Sequence, residues 1–446
     1  MNLRTYIQKL AERGELLTIT EPISTQYEVA AVMKQLEPRP VLFENVADSQ
    51  FRVVGNLFAS KGQFADYFGI QTDGIIPLLT GAIEAGVPTS AFTPSTFNPS
   101  PPCQEVVHLE PDLDALPILR HFPADGGHYL TSGVAIAAHP EYGQNMDFHR
   151  GMQISPREMA LRVVRGRHFH RYLEDLGEMD VAICVGNTPD ILAAAATSVA
   201  LGVDELSIAE AIAKSAGAAP PAVTRAKTVD LLIPADAEFV IEGTIYRDRR
   251  HAEGPFVDLT ETQDVIRDEP VLVVRAITHR RDAIWQALLP GALEHKLLMG
   301  MPREPTIFRT VNAVARCLDV NVNPGGCSWL HAIVQIDKRH EDDGRRAIFA
   351  AFEGHRSCKH VFVVDADVDI YDPLQVEWAL ATRFQGDRDL VMLDREPGSS
   401  LDPSAEPETK LTAKIGFDLT APLGDSRRPY ERISYPHVDL ERFSAL

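Results

Sequence analysis

The length, composition and charge of the chain exclude several classes of protein. Its 446 residues are 45% hydrophobic and 24% charged. This is typical of a folded chain with more than one hydrophobic core, and no apolar run reaches the ~20 residues that a membrane span needs. The 43 lysines and arginines against 63 acidic residues give a net charge of −20, and such a field repels nucleic acid. We therefore expect neither a membrane nor a nucleic-acid partner, and an anionic substrate would need a local cation.

The cysteines and the N-terminus indicate a reducing compartment. The five cysteines are odd in number, widely spaced and contain no Cys-x-x-Cys pair, which argues against a disulfide framework and a thiolate zinc site. The residues from Met1 to Ile7 form no apolar stretch with a small-residue cleavage site, so no export signal is indicated. We predict a cytoplasmic protein.

The N-terminal part of the chain alternates between helical and strand patterns. Leu3, Ile7 and Leu10 recur at helical spacing, and the proline-rich segment Thr93–Pro102 is typical of a domain boundary. We predict an N-terminal α/β domain over residues 1–105. Its further elements are a strand at Leu16–Thr20, a helix at Tyr27–Leu36, and strands at Val41–Phe43 and Phe51–Val54.

Short β-rich runs dominate the second predicted domain, which covers residues 106–297. An alanine-rich helix at Ile191–Leu201 interrupts these runs. The mixture is typical of a barrel-like β domain with inserted helices. The runs are Val134–Ala137, Val181–Val185, Thr228–Ile233, Phe239–Ile241 and Val271–Val274.

Helices and strands alternate again in the third predicted domain, residues 298–446. A strand-helix-strand-helix order predicts βαβ units with a parallel sheet, and hence an α/β domain. The tail from Gly398 onward is rich in proline, and we predict an extended arm that packs on another surface. The alternating runs are His331–Ile336, Arg345–Phe352, Val361–Val364 and Leu374–Phe384.

Four short polar stretches are the candidates for chemistry. Each has an ordinary alternative: a polar turn, a solvated basic turn, a helix end followed by an N-cap, and a solvated acidic loop, respectively. In the fourth stretch Glu253 and Asp258 flank a Gly-Pro turn, which can bring both carboxylates into one apolar pocket where they divide acid and base roles. The stretches are Gly143–Arg150, Arg165–His170, Gly202–Glu205 and His251–Asp258.

Taken in order, these stretches resemble the UbiD family of reversible decarboxylases, which use prenylated FMN. The resemblance spans nearly the whole chain. It implies that the central domain is a split β-barrel that binds the flavin, and that the chain forms a homo-oligomer, a dimer or a hexamer, through its C-terminal domain. The matching elements are Asn145 with Arg150, His168, the Gly-Val-Asp-Glu that ends at Glu205, Asp230–Ala235 with Val240–Gly243, Glu253–Asp258, Asp367–Asp372 and Trp378–Arg383.

The resemblance implies a role for each matched residue. Asn145, His168 and Glu205 would hold a divalent metal, Mn²⁺ or Mg²⁺, that bridges to the flavin phosphate. An amide, an imidazole and a carboxylate suit such a metal beside phosphate. The residues lining the cofactor would be Asn145, Met146, Asp147, Phe148, His149, Arg150, Arg167, His168 and Glu205, and a monovalent cation such as K⁺ would lie near Ala194, Ala195, Thr197 and Arg383.

The resemblance also implies that Arg150, Glu253 and Asp258 form the catalytic set. Loss of CO₂ from an unsaturated carbon leaves an electron pair that these side chains cannot accept, so an organic cofactor has to take it up. Arg150 would pair with the substrate carboxylate, Glu253 would bond to Arg150, and Asp258 would donate the proton.

We therefore predict a carboxy-lyase that reversibly and non-oxidatively decarboxylates an aromatic, heteroaromatic or α,β-unsaturated carboxylic acid. A flavin prenyltransferase would supply its prenylated FMN. Two alternatives stay open from the residues alone. The first is a metal-dependent hydrolase built on the same metal ligands, and the second is a flavin-binding protein without turnover.

The choice of substrate rests on the stretch around the predicted junction at 297. His295 and Arg303 lie eight residues apart, and they would grip a second carboxylate, as in family members that act on furan-2,5-dicarboxylate. That diacid or a related heteroaromatic acid is the predicted substrate. A structural hinge is the alternative role for this stretch. Val257 stands where the family often has glycine, and a lysine that some members place near the cofactor has no counterpart here.

Overall fold

The N-terminal elements form a small mixed sheet with helices around it. In the computed structural model they are α1 (Leu3–Glu12), β1 (Leu17–Ile19), α2 (Glu28–Leu36), β2 (Val41–Phe43), β3 (Arg52–Gly55), α3 (Lys61–Phe68) and α4 (Ile75–Glu84). Leu3, Ile7 and Leu10 are buried on one face of α1, and Asn2 caps this helix by accepting a hydrogen bond from the backbone N of Thr5. The elements predicted here are confirmed to within a residue or two, because an amphipathic period is a local signal.

The central part of the chain is built on strands. In chain order its elements are β4 (Val106–His108), β5 (Tyr129–Leu130), β6 (Val134–His139), β7 (Gly143–Phe148), β8 (Gly151–Ser155), β9 (Glu158–Leu161), α5 (His168–Leu176), β10 (Glu178–Val185), α6 (Pro189–Ala196), α7 (Glu205–Ser215), β11 (Val223–Arg225), β12 (Leu232–Pro234), β13 (Phe239–Glu253), β14 (Phe256–Val257), β15 (Gln263–Asp264), β16 (Arg267–His279), β17 (Ile284–Gln286) and α8 (Leu293–Gly300).

A nine-stranded antiparallel sheet positions the candidate site. Its order is β5-β8-β9-β16-β13-β10-β6-β7, with β4 paired to β16. Alternate residues of each strand point to opposite faces. On β6, for example, Val134 and Ile136 pack into one hydrophobic cluster, and Ala135 and Ala137 pack into another. Both faces of the sheet are therefore covered, which explains the uninterrupted apolar runs in the sequence.

Two predicted elements of this region are wrong in their bounds. The alanine-rich helix α6 ends at Ala196 instead of Leu201, because the chain after it is held as a loop by a hydrogen bond from Thr89 N to Gly202 O at 3.0 Å. Of the strand predicted at Thr228–Ile233, only the last two residues lie in a strand, which is β12 (Leu232–Pro234). The backbone N–H groups of Lys227 and Thr228 donate to the buried carboxylate of Glu242 instead of joining a strand ladder.

The C-terminal elements form a separate five-stranded sheet of order β18-β19-β20-β22-β21. They are α9 (Glu304–Asn312), β18 (Arg316–Asn321), β19 (His331–Asp337), α10 (Asp343–Gly354), β20 (His360–Asp365), α11 (Pro373–Arg383), β21 (Leu390–Pro397) and β22 (Leu411–Leu419). The side chain of Arg383 is fully buried and pairs with Asp365 and Asp367 at 3.0 and 2.6 Å. Its contacts stabilise this sheet, and the predicted role of Arg383 near a monovalent cation stays a prediction.

The prediction of an extended arm from Gly398 onward is wrong for residues 411–419. These residues are β22, which lies between β20 and β21 and pairs in parallel with β20. Ile415, Phe417 and Leu419 alternate with polar residues, a strand signal that the prolines on both sides obscured. The rest of the predicted arm includes residues 434, 437 and 440–446, which lie outside the described residues.

The structure describes residues 1–433, 435–436 and 438–439, and the chain divides into two units. The first holds residues 1–306, 322–331 and 399–410, and the second holds 307–321, 332–398 and the residues from 411 on. Among the described residues no helix is long and apolar enough to cross a membrane. The domain boundaries at 105 and 297 stay a prediction.

Candidate active site

Arg150 lies at the centre of a buried cluster of charged residues, between β7 and β8. Its Nε and Nη2 atoms donate to the two carboxylate oxygens of Glu253 at 2.9 and 3.1 Å. Nη1 donates to Asp258 at 2.5 Å, and Nη2 also donates to Asp264 at 3.0 Å. The guanidinium carbon lies 4.4 Å from the centre of the Phe256 ring. Burial opposes the charge, but the carboxylates raise the pKa of Arg150 above its ordinary value, so the group stays a cation.

A tight hairpin carries the carboxylates to Arg150. Strand β13 ends at Glu253, whose side chain is fully buried. The Gly254–Pro255 turn then leads into β14 and β15, in which Phe256 pairs with Asp264. Asp258 lies at the tip of this hairpin. A long strand followed by a short hairpin thus brings three carboxylates from one continuous stretch onto one guanidinium.

The segment before β5 packs against this hairpin at Gly254 and Pro255. The buried carboxylate of Asp125 accepts a hydrogen bond from the backbone N of Phe122 at 2.9 Å. Gly126 N donates to the carbonyl oxygen of Pro255 at 2.8 Å. The two chains approach so closely that a Cβ atom on Gly126 would lie 2.1 Å from the carbonyl oxygen of Gly254. The hairpin's position therefore depends on a glycine at 126.

A second buried cluster forms where β7 meets the start of α7. Asn145 Nδ2 donates to Glu205 Oε1 at 2.9 Å, and the backbone N of Met146 donates to Glu205 Oε2 at 2.9 Å. Asp204 caps α7 by accepting a hydrogen bond from Leu206 N at 2.9 Å, and this cap makes Glu205 the first helical residue. Burial raises the pKa of Glu205 well above its ordinary value.

The donor set of this cluster fits a hard divalent cation. Among the described residues Asn145 Oδ1 is buried and has no hydrogen-bond partner, and the two groups that donate to the Glu205 carboxylate, an amide and a backbone N–H, are neutral. A cation here would satisfy the amide oxygen and neutralise the carboxylate. In the part of the chain that the structure describes, no three His, Cys, Asp and Glu side chains are grouped to hold a metal. An ion would therefore need the amide and an outside ligand such as phosphate.

The remaining residues predicted for the cofactor lie on β7 and at the start of α5. His168 is the first residue of α5, and burial lowers the pKa of its imidazole against the opposing charge of Asp147. It is thus neutral near pH 7, the form that binds metals. Asp147 pairs with His149 at 2.7 Å, and Arg167 Nη1 donates to Ser198 Oγ at 3.3 Å. Met146 and Phe148 pack against the hydrophobic core.

His295 lies beside the Arg150 cluster. It is in the first turn of α8, and its Nδ1 accepts a hydrogen bond from Gly291 N at 3.0 Å. Burial lowers the pKa of His295, and the charges of Asp258 and Arg150 act on it in opposite directions. The structure thus brings this residue to the same group of charges as the catalytic candidates.

Arg303 lies beside Arg167 instead. Its Nη2 donates to the carbonyl oxygen of Ala196 at 3.0 Å, and its guanidinium carbon lies 5.2 Å from the centre of the Trp329 ring. Its Nε is buried and finds no hydrogen-bond partner in the part of the chain that the structure describes. Burial and the charge of Arg167 lower the pKa of Arg303 to about 10. Two neighbouring cations are suited to an anionic group.

One contributor to the Arg150 cluster, Asp264, was not predicted from the sequence. It lies six residues beyond Asp258 and reaches the same guanidinium only because β14 and β15 pair. A turn predicted at residues 258–262 would have indicated this contact, because such a turn folds the chain back and brings residue 264 beside residue 256. The same pairing places the Phe256 ring under Arg150 and 4.5 Å from the ring of Tyr129.

Three family models of 3-octaprenyl-4-hydroxybenzoate carboxy-lyase match the chain. They are its N-terminal domain at residues 7–83, its Rift-related domain at 96–293 and its C-terminal domain at 296–419. The chain belongs to the UbiD family of carboxy-lyases. The matches confirm the predicted class and the predicted succession of an N-terminal, a central and a C-terminal domain, and they favour a decarboxylase over a metal-dependent hydrolase.

Individual relatives agree with this assignment over the full chain. The sequence is 38% identical over 438 residues to the anhydromevalonate phosphate decarboxylase of Methanothermobacter thermautotrophicus, covering 97% of this chain and 99% of the relative. The structure is similar to the UbiD-class enzyme HmfF of Pelotomaculum thermopropionicum in complex with FMN, with a TM-score of 0.93, 33% identity and 99% of each chain covered. An evolved dimeric form of HmfF in complex with prFMN matches with a TM-score of 0.89 at 32% identity, covering 99% of each chain.

Proposed function

We propose that the chain decarboxylates an α,β-unsaturated or heteroaromatic acid that carries a second anionic group, using prenylated FMN and Mn²⁺ or Mg²⁺. The observation that carries the proposal is the Arg150 cluster. A buried guanidinium with carboxylates and an aromatic ring around it can bind a substrate carboxylate and has acids beside it that can handle one proton.

The two clusters are suited to the two ends of a flavin nucleotide. Arg150 lies five positions after Asn145 along nearly extended chain, a span on the order of 16 Å, which suits a phosphate at one end and a reacting ring at the other. We propose that Asn145, His168 and Glu205 hold the metal and, through it, the phosphate. From the family resemblance we also propose a K⁺ ion near Ala194, Ala195, Thr197 and Arg383.

Arg150 and the side chains around it would each have a different role in the reaction. Arg150 orients the carboxylate that is lost, and Glu253 holds the guanidinium by a two-point contact through Nε and Nη2. Asp258, whose side chain is 19% exposed and can therefore take up a proton from solvent, passes that proton to the carbon after CO₂ leaves. The prenylated flavin supplies the electron sink that no side chain offers. Phe256 and Tyr129 exclude water from the reacting atoms.

The second anion of the substrate is proposed to lie between Arg150 and Arg303. Arg303 with Arg167 gives this part of the site a positive charge. His295 beside Arg150 is neutral, and because its Nδ1 accepts from Gly291 N, its Nε2 carries the proton and can donate to an anion. The curated relative acts, by its name, on anhydromevalonate phosphate, an unsaturated acid with a phosphate. Furan-2,5-dicarboxylate would supply a carboxylate at the corresponding place. Both fit the charges, and a phosphate suits two arginines better than one carboxylate does.

Two partners follow from this proposal. A flavin prenyltransferase has to supply the cofactor, and a second copy of the chain is proposed to form a homo-oligomer, either a dimer or a hexamer. The dimeric HmfF structure shows that a relative associates.

The proposal is tested by following CO₂ release and solvent deuterium exchange with protein produced together with a flavin prenyltransferase. Candidate acids are anhydromevalonate phosphate, furan-2,5-dicarboxylate and their analogues without the second anion. We expect Asp258→Asn to lose activity by about 100- to 10,000-fold and to keep cofactor and metal. Asp268→Asn removes an exposed carboxylate on the next strand and serves as the control, for which we expect wild-type rates. Normal turnover by Asp258→Asn would refute the assignment, and equal rates on acids with and without the second anion would refute the substrate class.

A further inference from the structure

Hydrogen bonds to carboxylates already occupy both edges of the Arg150 guanidinium. Four of its five N–H groups donate to Glu253, Asp258 and Asp264. Glu253 takes the edge formed by Nε and Nη2. The other edge, formed by Nη1 and Nη2, is the one that a substrate carboxylate would have to use for a two-point contact. In this structure Asp258 holds Nη1 and Asp264 holds Nη2, so these two side chains together occupy the place of a carboxylate.

Asp264 differs from Asp258 in having a second strong partner. The same oxygen, Asp264 Oδ2, accepts from Arg150 Nη2 at 3.0 Å and from Arg267 Nη1 at 2.5 Å. Burial alone would raise the pKa of Asp264, but the hydrogen bond from Arg267 and the charge of Arg150 lower it, so the side chain is an anion at neutral pH. If Asp264 leaves Arg150, it keeps a charge-assisted hydrogen bond to Arg267 and is not left buried and unpaired.

We propose that Asp264 is an internal competitor for the substrate carboxylate, and that Arg267 holds Asp264 when the substrate displaces it. This inference rests on the proposed function, because it takes Arg150 as the carboxylate-binding residue. Asp264 acts through Arg150 and is a positioning residue. It keeps the guanidinium paired and oriented before the acid binds, and it raises the concentration of acid needed for binding.

A purely electrostatic effect makes a different prediction for combined variants. Removing one negative charge tightens the binding of any anion, and removing one positive charge weakens it, so the two changes would cancel. In a displacement mechanism Arg267 acts only through Asp264. The effect of losing Arg267 should then vanish once the carboxylate of Asp264 is gone. The double variant therefore separates the two explanations.

The test is isothermal titration calorimetry with furan-2-carboxylate and trans-2-hexenoate on protein loaded with FMN and Mn²⁺. The readout is an affinity, which does not depend on turnover. We expect Asp264→Asn to bind the acids about tenfold more tightly, since one charge-assisted hydrogen bond no longer has to be broken. Arg267→Met should bind them several-fold more weakly. The double variant should bind like Asp264→Asn, and the exposed-charge control Asp268→Asn should bind like the wild type.

Other outcomes would contradict the displacement mechanism, the role of Asp264 or the proposed function. A double variant that binds like the wild type would show additive charge effects and overturn the displacement mechanism. Failure of both the wild type and Asp264→Asn to bind either acid would also overturn it, because removal of the competitor should bring binding into range. If binding is unchanged in Arg150→Met, the proposed function itself fails at the carboxylate site. If binding requires Arg150 but Asp264→Asn has no effect, only the role of Asp264 fails.

Discussion

Gly126 offers the sharpest test of how the catalytic hairpin is held, because its neighbours leave no room for a side chain. A Cβ atom built on Gly126 lies 2.1 Å from the carbonyl oxygen of Gly254 and 2.6 Å from its carbonyl carbon. Both atoms are backbone, so no side-chain rotation relieves the overlap. Opening the contact to 3.0 Å, below which Cβ contacts are essentially never found, requires a shift of at least about 0.9 Å.

The expected effect of Gly126→Ala follows from what that shift displaces. Gly254 is next to Glu253, whose two oxygens hold Arg150 at 2.9 and 3.1 Å. A displacement of about 1 Å in a reacting site can cost on the order of 100-fold in rate, whereas overpacking costs about 1–3 kcal/mol of stability. We therefore expect a folded protein of lower melting temperature whose kcat falls by about 100-fold.

The matched control is Gly127→Ala. Its new Cβ would lie 3.2 Å from Met152 Cγ, a flexible side chain that can move. Activity is followed as CO₂ release, folding by thermal melting, and the metal cluster by Mn²⁺ binding, which both variants should keep because Asn145 and Glu205 are elsewhere. Turnover by Gly126→Ala equal to that of Gly127→Ala would refute the idea that close approach at 126 positions the hairpin.

Three further predictions concern buried charges outside the hairpin. Burial raises the pKa of Glu294 from 4.5 to about 8. Between these two pH values the folded state therefore binds one proton more than the unfolded state. The free energy of unfolding falls as the pH rises through this range, by at most about 1.4 kcal/mol per pH unit. Glu294→Gln should flatten that part of a plot of melting temperature against pH, and an unchanged slope would contradict the pKa. Glu205→Gln should raise the melting temperature of metal-free protein and abolish its increase with added Mn²⁺; a retained increase would exclude Glu205 as a ligand. Arg383→Met removes the guanidinium that pairs with buried Asp365 at 3.0 Å and leaves Asp365 the longer pair with Arg427 at 3.3 Å; it should cost about 1–3 kcal/mol in denaturant unfolding, with Arg383→Lys losing less. Equal stability of the two variants would show that the ion pair contributes little.

Much of the fold could be predicted because its signals are local. The helix at Leu3–Glu12 and the strand at Val41–Phe43 follow from the spacing of apolar residues over one or two turns of chain. The strand at Leu411–Leu419 carried the same kind of alternation, but the prolines around it suggested an arm. Only the pairing partners at 360–365 and 390–397 make it an inner strand of the sheet.

The candidate site, like the fold, could be predicted from the sequence in part, and the rest of it depends on the tertiary structure. The order of the polar stretches identified the family by resemblance, and that resemblance singled out Asn145, Arg150 and Glu205. The sequence could not show that Asp264 also bonds to Arg150, since which carboxylate reaches a guanidinium depends on strand pairing and on a hairpin turn. Local patterns determine elements and residue types, whereas hydrogen bonds between distant residues and the close approach of Gly126 to the hairpin are decided only when the chain packs.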